Sequence, residues 1–292
     1  MRIAVAKYPI QALSDFSAVA RRMGLLLRQA RDAGARIAVL PQYLSLELAA
    51  NLGTAVAADL PASLAGIQRY RGAWLELFAG LARQLDMHIV AGSFLLQQGP
   101  GHYRNRCDWF TADGRMLWQD KLQLTGFEKK TGLIEPGDAL KVFAVEGIRV
   151  AVAICYDSEF PLPVRAQREA GAQLLVVPSC TDTAAGATRV RVGCLARALE
   201  SRLFVAQSVT AGLAGWSPAL DVNTGEAAVF APMDAGLPED GVLVQTHGEQ
   251  VWAVARLDFA TLAASRAHAQ VANDLDWPGQ YLPGLHQARL AD

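Results

Sequence analysis

Short apolar runs alternate with amphipathic segments from the first residues of the chain, and this alternation limits what the chain can fold into. Residues 2–6 and 36–40 are apolar and β-branched, as buried strands are, and residues 16–33 between them have the apolar spacing of an amphipathic helix. The connection from this helix to the second strand is short, so the chain opens with a βαβ unit. A layered α/β architecture is therefore favoured.

The alternation continues along most of the chain. Asp-Gly and Glu-Gly pairs lie between strand-like runs and predict two hairpins, the first formed by 104–111 and Met116–Asp120, the second by Val142–Val145 and 148–154. Further helices are predicted at 62–85, 164–170 and 188–201, and further strands at 88–94, 174–178, 204–208, 218–222, 241–245 and 250–257.

The domain organisation follows from what the sequence lacks. It contains no repeat, low-complexity linker or block of charge, so we predict a single domain over residues 1–292. After about residue 270 the sequence has no clear periodicity but contains Trp277 and Tyr281. Because aromatic side chains are rarely left in water, we expect this C-terminal extension to pack at a subunit interface.

Composition and charge exclude several classes of protein. With 52% hydrophobic and 19% charged residues, a chain of 292 residues can bury a large core and is not disordered. The net charge is −1 and the longest basic run is Lys129 and Lys130, which argues against nucleic acid as a partner. No stretch of about 18 apolar residues occurs, and the N-terminus enters a strand directly, so we predict a soluble cytoplasmic protein without a membrane partner.

Cysteine and histidine patterns argue against a metal site. The four cysteines include no CxxC pair, and the five histidines are scattered without an i, i+4 pair. In a cytoplasmic chain the cysteines are expected to be free thiols, most of them packed in the core.

Cys155 is the residue that points most directly to chemistry. It ends the run IRVAVAIC at 148–155 and is followed by YDSEFP at 156–161. A buried strand that delivers a thiol to a strand-to-loop corner places a nucleophile at the edge of a sheet. Taken alone, however, such a cysteine is more often a packing residue.

Four segments together resemble the nitrilase superfamily of carbon-nitrogen hydrolases, and its amidase-like branch in particular. ARIAVLP at 35–41, followed by Gln42 and Tyr43, resembles the family's strand that ends in Pro-Glu. DKLQLTGFE at 120–128 is similar to its lysine motif with a trailing glutamate, and AICYDSEFP at 153–161 is similar to its nucleophile motif. RALE at 197–200 resembles a helix motif of the same family. The resemblance spans residues 2 to 280.

The resemblance implies a four-layer αββα sandwich, in which two sheets lie between helices, and pairing into a homodimer or higher homo-oligomer. It implies that Cys155 is the nucleophile, that Lys121 stabilises the tetrahedral intermediate and that Glu128 orients Lys121 or the substrate. It implies no metal and no organic cofactor. The substrate would be a small amide, a carbamoyl compound or a nitrile, attacked to give a cysteine thioester.

Elementary chemistry agrees with these roles. A free thiol with a pKa of about 8.5 is only a few per cent ionised at neutral pH, so it needs a base or a nearby cation. An ammonium such as that of Lys121 and the backbone N–H of Tyr156 could stabilise an oxyanion. Since sites in layered α/β folds gather at strand ends, the pocket walls are expected to be Tyr43, Tyr156, Ser179, Cys180, Thr181 and the loop 184–187.

Several charged residues allow two interpretations. Arg189 and Arg191 are candidates for binding a substrate carboxylate, although a solvated first helical turn is the simpler interpretation. Glu159, Arg165 and Glu200 are expected to form structural ion pairs.

Gln42 departs from the family pattern, because it lies where the resemblance implies the catalytic glutamate. A carboxamide cannot take a proton at neutral pH, so it keeps the shape of glutamate while losing the general base. Three explanations of the glutamine at position 42 remain open. The glutamine is an engineered substitution, or it is natural in a binding or scaffold protein, or Glu128, with Glu47 less favoured, replaces the base.

Two classes of function therefore remain. The chain is either a hydrolase of small amides, carbamoyl compounds or nitriles with impaired turnover, or a catalytically silent ligand-binding or scaffold protein on the same fold. Acyl transfer to an amine is a third possibility within the enzyme class and requires a pocket that excludes water.

Overall fold

The computed structural model describes residues 1–269, 271–282, 285, 288 and 290. The predicted C-terminal extension is therefore described in part, and its residues 270, 283, 284, 286, 287, 289, 291 and 292 lie outside the described residues.

Fourteen strands are found in the described part of the chain: β1 Arg2–Pro9, β2 Ile37–Val39, β3 His88–Gly99, β4 His102–Phe110, β5 Met116–Asp120, β6 Ile134–Glu135, β7 Val142–Val145, β8 Ile148–Val152, β9 Leu174–Ser179, β10 Phe204–Leu213, β11 Val222–Asn223, β12 Ala228–Phe230, β13 Val242–Gln245 and β14 Trp252–Arg256.

Its helices are α1 Phe16–Asp32, α2 Thr54–Ala57, α3 Leu60–Ile67, α4 Arg71–Leu85, α5 Gly126–Thr131, α6 Pro161–Glu169, α7 Ala184–Ser201, α8 Phe259–Ala267 and α9 Asn273–Asp276. Short 3₁₀ helices lie at Leu44–Leu52, Gln68–Tyr70, Cys155–Glu159 and Trp277–Tyr281.

The strands form two sheets that share β1. Residues 2–6 of β1 pair with β14 on one side, and residues 3–5 pair with β2 on the other; β3, β4 and β5 then extend this first sheet. Residues 7–9 of β1 instead pair in parallel with β10, which continues through β9 and β8 to β7 in the second sheet. One strand thus fixes the position of one sheet relative to the other.

The alternation of side chains along the strands shows which face of each sheet packs on the other sheet and which packs on helices. Ile3 and Val39 of the first sheet belong to the same buried cluster as Val150 and Val152 of the second. The intervening alanines of β1 and β2 belong to a different cluster, together with apolar side chains of α1 and α4. Since successive strand residues face opposite sides of a sheet, the two sheets pack on each other and helices cover their outer faces. The predicted αββα sandwich is confirmed.

Both predicted hairpins are confirmed. β4 pairs with β5 in antiparallel register, with Phe110 opposite Met116, and β7 pairs with β8, with Val145 opposite Ile148. At the second hairpin Glu146 and Gly147 both have positive φ, 47° and 80°. This is the backbone that a two-residue turn between right-twisted strands requires.

Three local predictions were wrong. The helix predicted at 62–85 is broken into α3 and α4 at Gln68, whose amide Nε2 donates to the carbonyls of Leu64 and Leu95 and so ties the break to β3. The loop predicted at 184–187 is the first turn of α7, which begins early because Thr183 caps it by accepting from the Gly186 N–H. The strand predicted at 218–222 is mostly turns, in which the Leu220 N–H donates to the Ser217 carbonyl.

Candidate active site

A cavity of about 530 Å³ opens where strands of both sheets end. Gln42 and Tyr43 reach it from the segment after β2, and Lys121 directly follows β5, all in the first sheet. Cys155, which follows β8, and Cys180, which follows β9, reach it from the second sheet. The folding of the two sheets therefore brings together residues that are more than a hundred positions apart in the sequence.

Most of the predicted site residues line this cavity. Gln42, Tyr43, Lys121, Cys155, Tyr156, Cys180 and Thr181 are among its walls. Glu128 lies directly behind Lys121 and is fully buried. Ser179 lies outside the cavity walls, because its hydroxyl donates to the Val177 carbonyl within its own strand.

Cys155 occupies a strained position. Its φ of 51° lies in the left-handed region, which costs a residue other than glycine roughly 1–2 kcal/mol. The residue opens the 3₁₀ helix Cys155–Glu159, where the Ser158 hydroxyl donates to the Cys155 carbonyl at 2.7 Å. Its Sγ lies 3.6 Å from the Cys180 carbonyl oxygen. The sharp turn from β8 places Cys155 in the cavity wall, where it also packs against the core between the sheets.

The thiol of Cys155 is not activated in the free protein. Burial raises the pKa of Cys155 above its ordinary value, and Lys121 offsets only part of this effect. Thiols favour the neutral form when they are removed from water, and a nearby cation favours the thiolate. Cys155 is therefore protonated at neutral pH, so its proton must leave when sulfur attacks.

Lys121 and Glu128 form a buried ion pair. Lys121 Nζ lies 2.7 Å from Glu128 Oε2, and the two side chains are 1% and 0% exposed. Burial alone would raise the pKa of Glu128, but the charge and hydrogen bond of Lys121 outweigh it, together with bonds from Tyr43 and the Thr125 N–H, and the pKa is lowered. Glu128 is thus a charged acceptor that holds the ammonium in place, and not a group ready to take a proton.

The surroundings of Glu128 saturate its two oxygens. The Tyr43 hydroxyl donates to Oε1 at 2.5 Å, and Asn105 Nδ2 donates to the same oxygen at 3.3 Å. The Thr125 N–H donates to Oε2 at 2.8 Å in a capping box at the start of α5. Sequence reasoning missed Asn105, because no local pattern marks a side chain that projects from the middle of β4.

Gln42 is held rigidly at the cavity wall. It is 1% exposed, and its Oε1 has no hydrogen-bond partner among the described residues. The preceding Pro41 carbonyl accepts from the Ser93 N–H, and Ser93 Oγ accepts from the Tyr43 N–H at 2.9 Å. An unpartnered buried amide oxygen is costly unless a ligand pairs with it.

Gly92 allows strand β3 to pass close to the backbone of Pro41, the residue before Gln42. Its φ is +68°, and a Cβ at this position would lie 2.0 Å from the Pro41 carbonyl oxygen. Only glycine combines this backbone conformation with so little space. Gly92 therefore determines where Gln42 lies.

Asp157 connects the two sides of the site and was missed by sequence reasoning. Its carboxylate accepts from the backbone N–H groups of Leu122 at 3.1 Å, Gln123 at 2.6 Å and Ile154 at 3.0 Å. It thereby joins the residues after Lys121 to the residue before Cys155. Burial raises the pKa of Asp157 to about 6 against the effect of these three donors.

Glu47 is placed away from the chemistry. Its carboxylate accepts from the Tyr8 hydroxyl at 2.6 Å and from the Gln11 N–H at 2.7 Å, and it lies outside the cavity walls. Glu47 is therefore not positioned to replace a base at residue 42.

The other charged candidates fall into two groups, those that form ion pairs and those that line the cavity. Arg165 pairs with Glu169, and Glu200 pairs with Arg197, as structural ion pairs. Arg189 lines the cavity, whereas Arg191 contacts Gln245 outside it. The ion pair expected for Glu159 is not formed within the described residues, and Glu159 instead lines the cavity.

Two further findings concern the described residues only. Among them, no cluster of three His, Cys, Asp or Glu side chains could bind a metal ion. None of their helices is both long enough and apolar enough to cross a bilayer.

Comparison with known proteins settles the family. The family model described as carbon-nitrogen hydrolase matches residues 2–249. The chain belongs to the carbon-nitrogen hydrolase family. This carbon-nitrogen hydrolase is 29% identical over 274 residues to the probable hydrolase YhcX of Bacillus subtilis, covering 93% of this chain but only 52% of YhcX. The chain spans about half the length of that relative.

Solved structures agree on the fold of this carbon-nitrogen hydrolase. Nit3 from Saccharomyces cerevisiae, a member of the nitrilase superfamily, superposes with a TM-score of 0.71 at 18% identity over 93% of this chain and 94% of Nit3. An amidase from Nesterenkonia sp. AN1, solved as a glutamate-to-glutamine variant with acrylamide added to its active-site cysteine, superposes with a TM-score of 0.64. Its identity is 23% over 92% of this chain and 97% of the amidase.

Proposed function

We propose that this carbon-nitrogen hydrolase cleaves a small, non-peptide amide through a thioester on Cys155, with Lys121 and Glu128 as its other catalytic residues. The observation that carries the proposal is the convergence of a thiol at a strained strand end with a buried ammonium-carboxylate pair at one cavity. Carbamoyl compounds and nitriles offer a similar electrophilic carbon and belong to the same proposal.

The first half of the reaction forms the thioester. Sulfur of Cys155 bonds to the carbonyl carbon, the carbon-nitrogen bond breaks, and the thiol proton is transferred to the departing nitrogen. The oxyanion formed on the way is stabilised by the Lys121 ammonium and the Tyr156 N–H, as preorganised donors of this kind do. In the second half, water attacks the thioester, the carbon-sulfur bond breaks, and the proton returns to sulfur.

Gln42 sets the rate of both halves. Its amide can hydrogen-bond the substrate nitrogen or the attacking water, but it cannot carry the proton between them. General-base catalysis contributes about 10²- to 10⁴-fold, so turnover is slow and the acyl-enzyme accumulates. In the Nesterenkonia glutamine variant the active-site cysteine has added to acrylamide by Michael addition, which forms a thioether and not a thioester. That adduct supports a reactive thiol in such a variant, while accumulation of an acyl-enzyme in this chain is a matter for the test.

The test is incubation with a panel of amides, carbamoyl amino acids and nitriles. Ammonia release and the intact mass of the protein are followed, with C155A as the control. An acyl adduct that is absent in C155A is expected, as is faster ammonia release by Q42E. If no compound gives an adduct or ammonia in either form, the hydrolase proposal is overturned.

A ligand-binding role is the second candidate, and the unpartnered Oε1 of Gln42 favours it. On this hypothesis amides bind to the cavity, while Q42E remains without activity. Acyl transfer is distinguished in the same assay by adding amines, because the acyl group would then be found on the amine rather than as free acid.

We also propose that the whole chain acts as one domain in a cytoplasmic homo-oligomer. The side chains of α6, α7 and α9 expose Leu162, Val192 and Leu275 at 64%, 57% and 68% on helices that pack together. Apolar patches of this kind mark interfaces. The cysteines are free, as expected in a reducing compartment. Sedimentation equilibrium of the full chain and of L162E/V192E tests the assembly, and a monomer in both would contradict it.

A further inference from the structure

The outer part of the cavity carries an unbalanced negative charge. Three carboxylates, those of Glu159, Asp182 and Asp221, line it beside a single guanidinium, that of Arg189. Lys121 also reaches the cavity, but its charge is balanced by Glu128. The formal charges of these four side chains, three negative and one positive, give the cavity wall a net charge of −2.

Glu159 is the most informative of these groups. It ends the 3₁₀ helix that Cys155 begins, so one rigid turn fixes both positions. The residue is partly buried, and within the described part of the chain its carboxylate makes no hydrogen bond and no salt bridge. Burial raises the pKa of Glu159, while Arg189 acts in the opposite direction.

Arg189 does not neutralise this wall. It lies on the exposed side of the first turns of α7, too far from Glu159 for a salt bridge. Even if its full charge is assigned to one carboxylate, two others remain. A carboxylate that is partly removed from water without a partner costs free energy, which a cationic ligand would recover.

A second unpartnered group lies at the inner end of the same cavity. Gln42 Oε1 is buried without a hydrogen-bond partner among the described residues, in the cavity wall that also holds Cys155 and Lys121. This oxygen has almost no accessible surface in the free protein, so a substrate N–H reaches it only after the amide group rotates. The cavity wall thus holds the Gln42 amide together with the carboxylate of Glu159, which can bind a cation.

We propose that the cavity selects amides whose acyl chain carries an ammonium group, and that Glu159 is the residue that binds this group. The proposal rests on the function proposed above and specifies its substrate class. Asp182 and Asp221, both exposed, strengthen the attraction at longer range and make it sensitive to salt. An acyl chain that ends in a carboxylate is disfavoured by the same groups.

The experiment compares three amides with identical five-methylene chains: ε-aminocaproamide, heptanamide and pimelamate. Initial ammonia release and acylation of Cys155 are measured at low ionic strength. We expect kcat/KM for ε-aminocaproamide to be about tenfold higher than for heptanamide, and kcat/KM for pimelamate to be the lowest of the three. Added salt should reduce the differences between the three amides. Calorimetric binding of the same amides to C155A reports the selectivity independently of the chemistry.

The variants E159Q and E76Q form a matched pair. Glu76 is an exposed glutamate on α4, outside the cavity walls, so E76Q should keep the ratio of ammonium to neutral rates. E159Q should bring this ratio close to one. The rate of E159Q with heptanamide reports whether the variant is still folded and reactive. Equal rates for all three amides, or a preference that survives in E159Q, would overturn the proposal while leaving amide hydrolysis intact. Absence of both reaction and binding would overturn both proposals.

Discussion

Lys121 Nζ lies 2.7 Å from Glu128 Oε2, and both side chains are almost completely removed from bulk water. Removing one member of a buried pair leaves the other charge uncompensated, which costs about 3–5 kcal/mol. The ion pair therefore stabilises the folded protein and also holds the Lys121 ammonium near Cys155.

We expect E128Q to lower the free energy of unfolding by about 3 kcal/mol at neutral pH, because it leaves the ammonium unpaired. K121M/E128Q should recover much of that loss, since no charge remains buried, yet stay inactive. Urea unfolding and ammonia release measure the two effects. A double variant less stable than E128Q would show that the charge is not the cause.

Because the pKa of Glu128 is lowered in the folded protein, its contribution to stability has a defined pH window. It is fully present above the ordinary glutamate pKa and is lost as the pH falls through the lower, folded value. In wild type, urea midpoints should therefore decline on acidification more steeply than in K121M/E128Q.

The raised pKa of Cys155 predicts slow alkylation at neutral pH. The rate with iodoacetamide should rise with pH to a midpoint above the ordinary thiol value of about 8.5. In K121M the midpoint should move higher still, because the cation that favours the thiolate is gone. Intact-mass kinetics across pH check both statements, and a wild-type midpoint below about 8.5 would refute them.

Asp157 predicts an acid limit to activity. As the pH falls through about 6, the carboxyl is protonated and can no longer accept from Leu122, Gln123 and Ile154 together. We expect kcat to fall about tenfold there, with KM little changed. D157N imitates the protonated form, because its Nδ2 would face an N–H, and should be slow at every pH. D157E should restore part of the rate, which a purely structural role would not predict.

The sign for stability at Asp157 is opposite to that at Glu128. A carboxyl whose pKa is raised on folding favours the folded state most below its unfolded pKa, and this contribution is lost as the pH rises through about 6. Thermal unfolding of the wild type should therefore show a lower stability at about pH 7 than at about pH 5, because the contribution of Glu128 changes only below the ordinary glutamate pKa. D157N should lack this difference.

Gly92 offers a test of how the position of Gln42 is fixed. G92A places a Cβ 2.0 Å from the Pro41 carbonyl oxygen at a positive φ, so we expect a loss of about 3 kcal/mol in stability and strongly reduced acylation. Gly99 lies at the far end of the same strand, where an added Cβ would meet no atom within 4 Å, so G99A is the matched control and should be near neutral. Equal effects of the two substitutions would contradict this account.

The sequence was sufficient for the parts of the fold that local patterns encode. Cys155 could be located because it follows an apolar strand, and the hairpin at Glu146 and Gly147 because its turn needs positive φ. Lys121 could be located only through the resemblance of residues 120–128 to a family motif. The break at Gln68 could not be predicted, since its cause is a hydrogen bond to Leu95 in another element.

The same limit applies to the site. Asp157 looked like part of a motif, but its role depends on two N–H groups more than thirty residues away in the chain. Glu159 was expected to form a structural ion pair, and only the placement of the 3₁₀ helix beside the cavity shows that this residue is part of the cavity wall.

The shared strand β1 has a consequence for how this enzyme can change. The nucleophile belongs to one sheet and the ammonium to the other, so the distance between them is a property of how two halves of the molecule are joined. Val5 and Val39 are buried between the sheets, so substitutions there would change the rate of reaction without contacting the substrate. Substitutions in the outer cavity wall would instead change which substrates are preferred. Rate and preference are adjustable by separate sets of residues.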